Sequence, residues 1–207
     1  MKSFNIIFLC VLLCFSSTIQ AKQCNQGKVA SIAGSATVER DGQVISLEVD
    51  SPVCIGDIYV TDATSVAQLK LRDGSVITVG KGSEFKIKEY KIYKNKPNVA
   101  LFELAKGAFR IVTGYMVKKP HRYEVKTVDA TIGVRGTDFW GGFGLTKNGL
   151  DVIMLSGKGV YVTNNNAETV ELDADGFGTT IISGAAPSLP KKWGEEKVAK
   201  AVATITP

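Results

Sequence analysis

The chain has 207 residues, and its 25 basic and 20 acidic side chains give a formal charge of +5 spread along the sequence. A charge so mild and dispersed excludes the concentrated basic stripe of a nucleic-acid binder. With 44% apolar residues and this length, the chain suits one domain with its own core.

The N-terminus reads as an export signal. Lys2 supplies the positive start, residues 6–15 form an unbroken apolar run, and Ser16, Ser17 and Thr18 lead to Ala21. The run is shorter than the roughly 20 residues that span a bilayer. Cleavage is expected after Ala21, giving a signal peptide over 1–21. Cys24 follows Ala21-Lys22-Gln23, a poor context for lipid attachment. No second apolar run of transmembrane length follows, so a periplasmic or secreted location is expected, with no transmembrane segment in the mature chain. Removing residues 1–21 takes the formal charge to +4 and leaves two cysteines, Cys24 and Cys54. In an oxidising compartment these are expected to form one disulfide, closing a loop of about 30 residues worth roughly 3 to 4 kcal/mol.

From there the apolar residues recur with period two. Residues 66–71 alternate, Asp73-Gly74 makes a turn, and residues 76–79 follow, the pattern of a hairpin. Further strands are predicted at 28–32, 36–40, 44–47, 58–61, 84–87, 100–104, 108–112, 123–127, 137–143, 151–155, 159–163, 169–172 and 179–182, with Gly, Asp, Asn or Pro in nearly every gap. Lys86, Lys88, Lys91, Lys94 and Lys96 read as the solvent face of a strand entering a loop. Residues 40–47 echo residues 72–79, both beginning Arg-Asp-Gly, and a fainter echo starts at Asp175-Gly176. Stacked β-coils produce such echoes, as do any two Asp-Gly hairpins. Only residues 195–202 read as helix, in a tail from Ala185 onward that either frays or docks. The expected fold is all-β: a β-solenoid-like stack of short strands, or alternatively a β-sandwich. The β domain spans 22–184 and a short helical tail spans 185–207.

The order of signals resembles one family. Gly56-Asp57-Ile58 precedes the turn Thr61-Asp62-Ala63-Thr64. Leu71-Arg72-Asp73-Gly74-Ser75, Gly107-Ala108-Phe109-Arg110, Ile132-Gly133-Val134-Arg135-Gly136-Thr137-Asp138-Phe139 and Ser156-Gly157-Lys158-Gly159-Val160 follow in turn. Together they resemble the FecR domain, over roughly residues 27–183. The resemblance implies a periplasmic, non-catalytic β domain. The best-known members relay a signal from an outer-membrane transporter, using a cytoplasmic sigma-factor-binding segment and a transmembrane helix. A signal peptide stands in their place here, so this chain is not expected to carry a signal across the inner membrane by itself.

Two segments are candidate sites. In Gly133, Arg135, Gly136, Thr137 and Asp138, flanking glycines let the backbone turn sharply and the guanidinium can fork onto a carboxylate. Arg135 either pairs with an acid such as Asp129 or Asp138 and locks one coil to the next, or with Thr137 presents an anion or peptide site. In Phe139-Trp140-Gly141-Gly142-Phe143, the rings Phe139, Trp140 and Phe143 either pack the core or form a platform for a sugar or peptide, and the glycines mark a bulge.

Catalytic signals are poor. His121 stands alone among cationic residues as a solvated loop residue, with no nucleophile to complete a triad. One histidine and two disulfide-bonded cysteines do not make a zinc set. Gly74 to Gly80-Lys81-Gly82 misses a phosphate loop by one residue and a hydroxyl, and Asp173-Ala174-Asp175-Gly176 lacks the rest of a calcium loop. No catalytic residue, metal or cofactor is therefore expected. The expected role is binding an envelope protein or a cell-wall glycan, including as a sensor beside a membrane partner. The rival is a structural envelope protein that assembles with itself, which leaves the oligomeric state open.

Overall fold

The computed structural model describes residues 24–118 and 120–207; the predicted export segment and its cut lie outside the described residues. In chain order the strands are β1 (Gly27–Ala33), β2 (Ala36–Arg40), β3 (Gln43–Ser46), β4 (Pro52–Val53), β5 (Ile58–Thr61), β6 (Val66–Leu71), β7 (Val76–Val79), β8 (Glu84–Lys91), β9 (Asn98–Lys106) and β10 (Ala108–Val112). After a 3-10 turn (Tyr115–Lys118) come β11 (His121–Lys126), β12 (Ala130–Val134), β13 (Thr137–Phe143), β14 (Gly149–Gly157), β15 (Val160–Asn164), β16 (Thr169–Leu172), β17 (Phe177–Ile182) and β18 (Lys191–Lys192). One helix, α1 (Glu195–Ala203), follows.

Among the described residues the strands make two open sheets. The first runs β18-β17-β14-β13-β10-β7-β6-β1-β4 and the second β16-β15-β12-β11-β9-β8-β5-β2-β3. The chain moves steadily from one end of both sheets to the other. Neighbouring strands pair antiparallel, apart from β9 with β11, which run parallel because the chain crosses to the first sheet at β10 before returning.

The period-two pattern explains the core. Along β9, Asn98, Ala100, Phe102 and Leu104 are buried in alternation. Inward residues of both sheets, among them Leu69, Ile77, Ile111 and Val152 of the first and Ile87, Val125, Ile132 and Val162 of the second, form one apolar cluster between them. An aromatic ladder bridges the layers. Phe139 meets Phe109 edge-on at 5.5 Å, Phe109 lies 5.7 Å from Phe85, Phe85 lies 5.6 Å from Phe102, and Phe102 lies 5.3 Å from Tyr123. Such offset and edge-on pairs add to the burial of the rings.

The predicted strands all fall on observed ones, and three observed strands have no predicted counterpart. β4 and β18 are two residues each and exist through pairing with β1 and β17. β12, next to the Arg135 turn, pairs with β11 and β15. β8 continues past its predicted end because the register shifts between Ile87 and Glu89, and burial resumes at Tyr90. Lys88 and Lys91 are exposed on that strand and Lys94 and Lys96 on the loop after it. The Asp41-Gly42 turn joins β2 to β3 with both residues at positive φ, 54° and 77°. That is the conformation an Asp-Gly hairpin supplies.

Cys24 and Cys54 are joined by a disulfide, which ties the first described residue to the loop after β4. The tail lies on the outer face of the first sheet. Trp193, Ala201 and Ile205 are buried there against Ala108, Trp140 and Ile153. The Trp140 Nε1–H donates to Thr204 Oγ1 at 3.0 Å, and the Lys81 N–H donates to the Thr204 carbonyl at 2.7 Å. Lys197 Nζ sits 2.5 Å from Oδ1 of the buried Asp151 and 4.1 Å from the centre of the Trp193 ring. Among the described residues no helix is long and apolar enough to cross a membrane.

Candidate functional site

Most of the polar motif residues are consumed inside the fold. Asp57, fully buried, accepts hydrogen bonds from Arg40 Nε and Nη2 at 3.0 and 2.8 Å, from the Cys54 N–H at 3.0 Å and from the Tyr59 hydroxyl at 3.1 Å. It thereby fixes the disulfide loop to β2 and β5. Asp73, also buried, accepts from the Ser75 N–H and hydroxyl at 3.0 and 2.7 Å and from the Tyr90 hydroxyl at 2.8 Å. Burial, reinforced by the adjacent carboxylates, pushes the Tyr59 and Tyr90 hydroxyls far above their ordinary titration range. Arg110 on β10 forks onto Asp138 of β13 at 2.9 and 2.6 Å, and those hydrogen bonds raise the Arg110 guanidinium further.

That fork corrects one expectation. Asp138 belongs to Arg110, not to Arg135. The Arg135 side chain is 65% exposed, and its nearest acid is Glu171 at 3.9 Å, itself half-exposed. Its guanidinium instead covers the ring of Tyr161, 4.4 Å from the centroid. An exposed pair of that length contributes little to stability, so Arg135 is not an internal lock.

The backbone shows why the turn has its sequence. Gly136 has φ +82°, a conformation that strains any other residue. Gly133 lies in β12 with open space around a would-be Cβ, the nearest atom being the Tyr123 carbonyl at 4.0 Å. Thr137 is buried, and its hydroxyl donates to the Gly159 carbonyl at 2.9 Å, stapling β13 to the start of β15. Its role is to hold the turn, and Arg135 is left as the motif side chain facing out. The Arg135 N–H donates to the Gly159 carbonyl at 3.1 Å, and the Lys158 N–H donates to the Gly136 carbonyl at 3.2 Å. Two turns, 134–137 and 156–159, thus lie side by side. The 3-10 turn Tyr115–Lys118 closes the third side, with Val117 Cγ2 3.4 Å from where a Cβ on Gly136 would sit.

Between these three turns lies a cleft of about 330 Å³ lined by Val112, Val117, Lys118, Arg135, Asp138 and Lys158, among others. Arg135 also forms a wall of a second, shallower depression of about 600 Å³ on the second sheet, with Arg122, Glu124 and Tyr161. Lys118 and Lys158 were not singled out from the sequence as candidates. They lie 17 and 23 residues from Arg135, and only the crossing of the chain between the sheets brings them to one cleft.

The aromatic segment divides. Phe139 belongs to the main core, and Trp140, 1% exposed, lies under the tail. Neither presents a ring face to a ligand, so the platform reading narrows to Phe143. That residue is half-buried beside a separate apolar depression with Val128 and Lys147. The glycines are not the bulge, which lies between Asp138 and Phe139. They permit close packing: a Cβ at Gly141 would stand 2.9 Å from the Phe109 ring, and one at Gly142 2.6 Å from Ala108. His121 begins β11 rather than standing in a loop, and its Nε2 is 2.9 Å from the Val134 carbonyl, to which it donates. Among the described residues no group of three or more His, Cys, Asp or Glu is placed to hold a metal ion.

The fold is thus an open, two-sheet β domain whose motif residues interlock internally and leave one arginine turn at the surface. The sequence model of the FecR protein family matches residues 57–158, and the chain carries a domain of the FecR family. Two crystal structures of a candidate anti-sigma factor from Parabacteroides distasonis share the fold. Each has a TM-score of 0.54 at 18% identity, over 69% of this chain and 62% of that one, less than two thirds of that protein's length. No curated protein matches the sequence.

Proposed function

We propose that this is an exported, non-catalytic FecR-like module that binds an envelope partner through the Arg135 turn and acts as a sensor or signalling component. The observation that carries this reading is the division of labour within the family motifs. Asp57, Asp73, Arg110, Thr137 and Asp138 are tied up by internal hydrogen bonds, whereas Arg135 stands 65% exposed on a glycine turn, between two clefts. A residue at the centre of the most specific motif whose contacts are an exposed cation–π pair with Tyr161 and a long pair with Glu171 is best explained by recognition. The FecR match and the likeness to a candidate anti-sigma factor favour a regulatory role over an enzymatic one. The steady progress of the chain along both sheets favours a coiled, solenoid-like stack, with the tail as its integral outer strap. The apolar N-terminal run, read as an export signal, supports a location outside the cytoplasm.

Chemical crosslinking of the chain in its native envelope, with and without Arg135→Ala, tests the proposal. A defined partner captured by the parent and lost in a variant that melts normally supports it. Equal capture by both removes the Arg135 turn from the interface.

A second reading rests on one edge. β3 ends the second sheet with all four residues exposed and no charge among them, Val44 being 72% exposed. The other edges carry Pro52, Glu171, or Lys191 and Lys192, the residues that usually guard a free strand. Self-association through β3 would make sedimentation mass rise with concentration and would be abolished by Val44→Lys.

A further inference from the structure

Resting on the binding reading above, we infer that the cleft at the Arg135 turn takes an acidic peptide segment of the partner, held by Lys118, Arg135 and Lys158. The three cations come from three separate turns and line one cleft. Lys118 and Lys158 are exposed, and among the described residues neither has an acid within salt-bridge distance. The acid inside the cleft, Asp138, is neutralised by the Arg110 fork. Glu171, 3.9 Å from Arg135 and accepting a hydrogen bond from the Tyr161 hydroxyl at 2.7 Å, is not among the residues that line the cleft. The cleft therefore carries a net positive charge that the fold itself does not satisfy, and clefts of one sign concentrate ligands of the other.

The lining distinguishes between anionic ligands. A glycan site ordinarily offers a flat ring face, and no aromatic side chain lines this cleft among the described residues. The ring beside Arg135, Tyr161, is already covered by it. Val112 and Val117 instead give the cleft an apolar floor beside the cations. Alternating acidic and apolar side chains of an extended peptide match that mixture. Arg135 can fork onto a carboxylate while the lysines act as point charges around it.

The test uses the full chain, expressed for export and purified, with fluorescence anisotropy of a labelled hexaglutamate peptide and a hexaglutamine control. Hexaglutamate is expected to bind and hexaglutamine not. Lys118→Glu combined with Lys158→Glu should weaken binding by at least about tenfold, and affinity should fall steeply with added salt. Lys86→Glu combined with Lys88→Glu, on the outer face of the second sheet, should leave binding unchanged. If the reversed pair does not fold, the corresponding alanine pair serves. Equal loss from both double variants, or undiminished binding by the cleft variant, overturns the inference. So does a sulfated polysaccharide or inorganic phosphate that displaces the peptide at matched charge. Partner capture separates the two levels. A partner still crosslinked by the folded Lys118→Glu, Lys158→Glu variant but lost with Arg135→Ala sinks the acidic-peptide assignment and leaves the binding role standing.

Discussion

Truncating Trp193 to alanine tests whether the tail is part of the folded unit. Trp193 is 6% exposed and lies edge-on to Trp140 at 6.2 Å, with Lys197 over its ring and Gly178 beneath it. A Cβ on Gly178 would stand 2.4 Å from the indole Cε2 and Nε1, so the fit is close. Buried Trp→Ala changes cost about 3–5 kcal/mol. The outer cluster is small and lies near the surface, which favours the low end, about 3 kcal/mol, of which the ring pair supplies roughly 1. For a domain of this size each kcal/mol moves the melting temperature by about 2–4 °C, so Tm should fall by about 6–12 °C. Circular dichroism measures that shift. The chain holds two tryptophans, so in the variant the remaining emission reports Trp140 alone and should move to the red. Trp193→Phe should recover most of the loss. A Trp193→Ala protein that melts within about 1 °C of the parent, with Trp140 emission unshifted, would show that the tail does not dock, and the outer cluster would have to be redrawn.

The other predictions address the buried networks and the exposed turn. Asp57→Asn removes the carboxylate that holds Arg40 and the disulfide loop, and should cost about 3 kcal/mol in urea unfolding, the low end for a broken buried pair because Arg40 keeps a solvent-facing edge. No change in the midpoint would show that the fork contributes nothing. Tyr59, Tyr90 and Tyr123 have folded values raised chiefly by burial. Their stabilising contribution is complete below the ordinary tyrosine value of about 10 and is lost as pH climbs from there toward the folded value, at about 1.4 kcal/mol per pH unit for each ring. Unfolding midpoints should therefore drop steeply above about pH 10, and phenolate from these three rings should appear only with unfolding. Ionisation of Tyr59, Tyr90 or Tyr123 in the intact fold, followed by the NMR signals of those rings, would contradict their burial. Arg135→Ala should leave Tm within about 3 °C of the parent, since an exposed pair and an exposed cation–π contact are together worth about 1 kcal/mol or less. A larger drop in a thermal melt would return Arg135 to a structural role.

Legibility in the sequence followed the physics of each element. Strands with one buried face announced themselves by alternation, as β6 and β9 do, and the tail helix by residues 195–202, a run of helix-forming residues without Gly or Pro. β4 and β18 left no pattern because a two-residue strand is defined by its neighbour's hydrogen bonds. The end of β8 was hidden by a bulge that breaks the alternation on which a strand prediction relies. In the candidate site, Arg135 and Gly136 were visible through local chemistry. Their surroundings were not: Asp138 could as well have paired with Arg135 as with Arg110, and that choice is set by the β10–β13 register. Lys118 and Lys158 were invisible for the same reason, since their meeting depends on three turns stacking at one end of the sheets. The buried carboxylates of Asp57 and Asp73 run against polarity scales, and only their place beside Tyr59 and before Ser75 hinted at partners.

The most direct test of the central claim is site-specific photo-crosslinking in living cells, with the reactive residue placed at position 158 in the cleft and, in a separate strain, at position 44 on the β3 edge. The binding account predicts an adduct with a distinct partner from position 158 that disappears when Arg135→Ala is added, and none with that partner from position 44. Adducts from position 44 to a second copy of the chain, with nothing captured at position 158, would contradict it and establish self-assembly in its place.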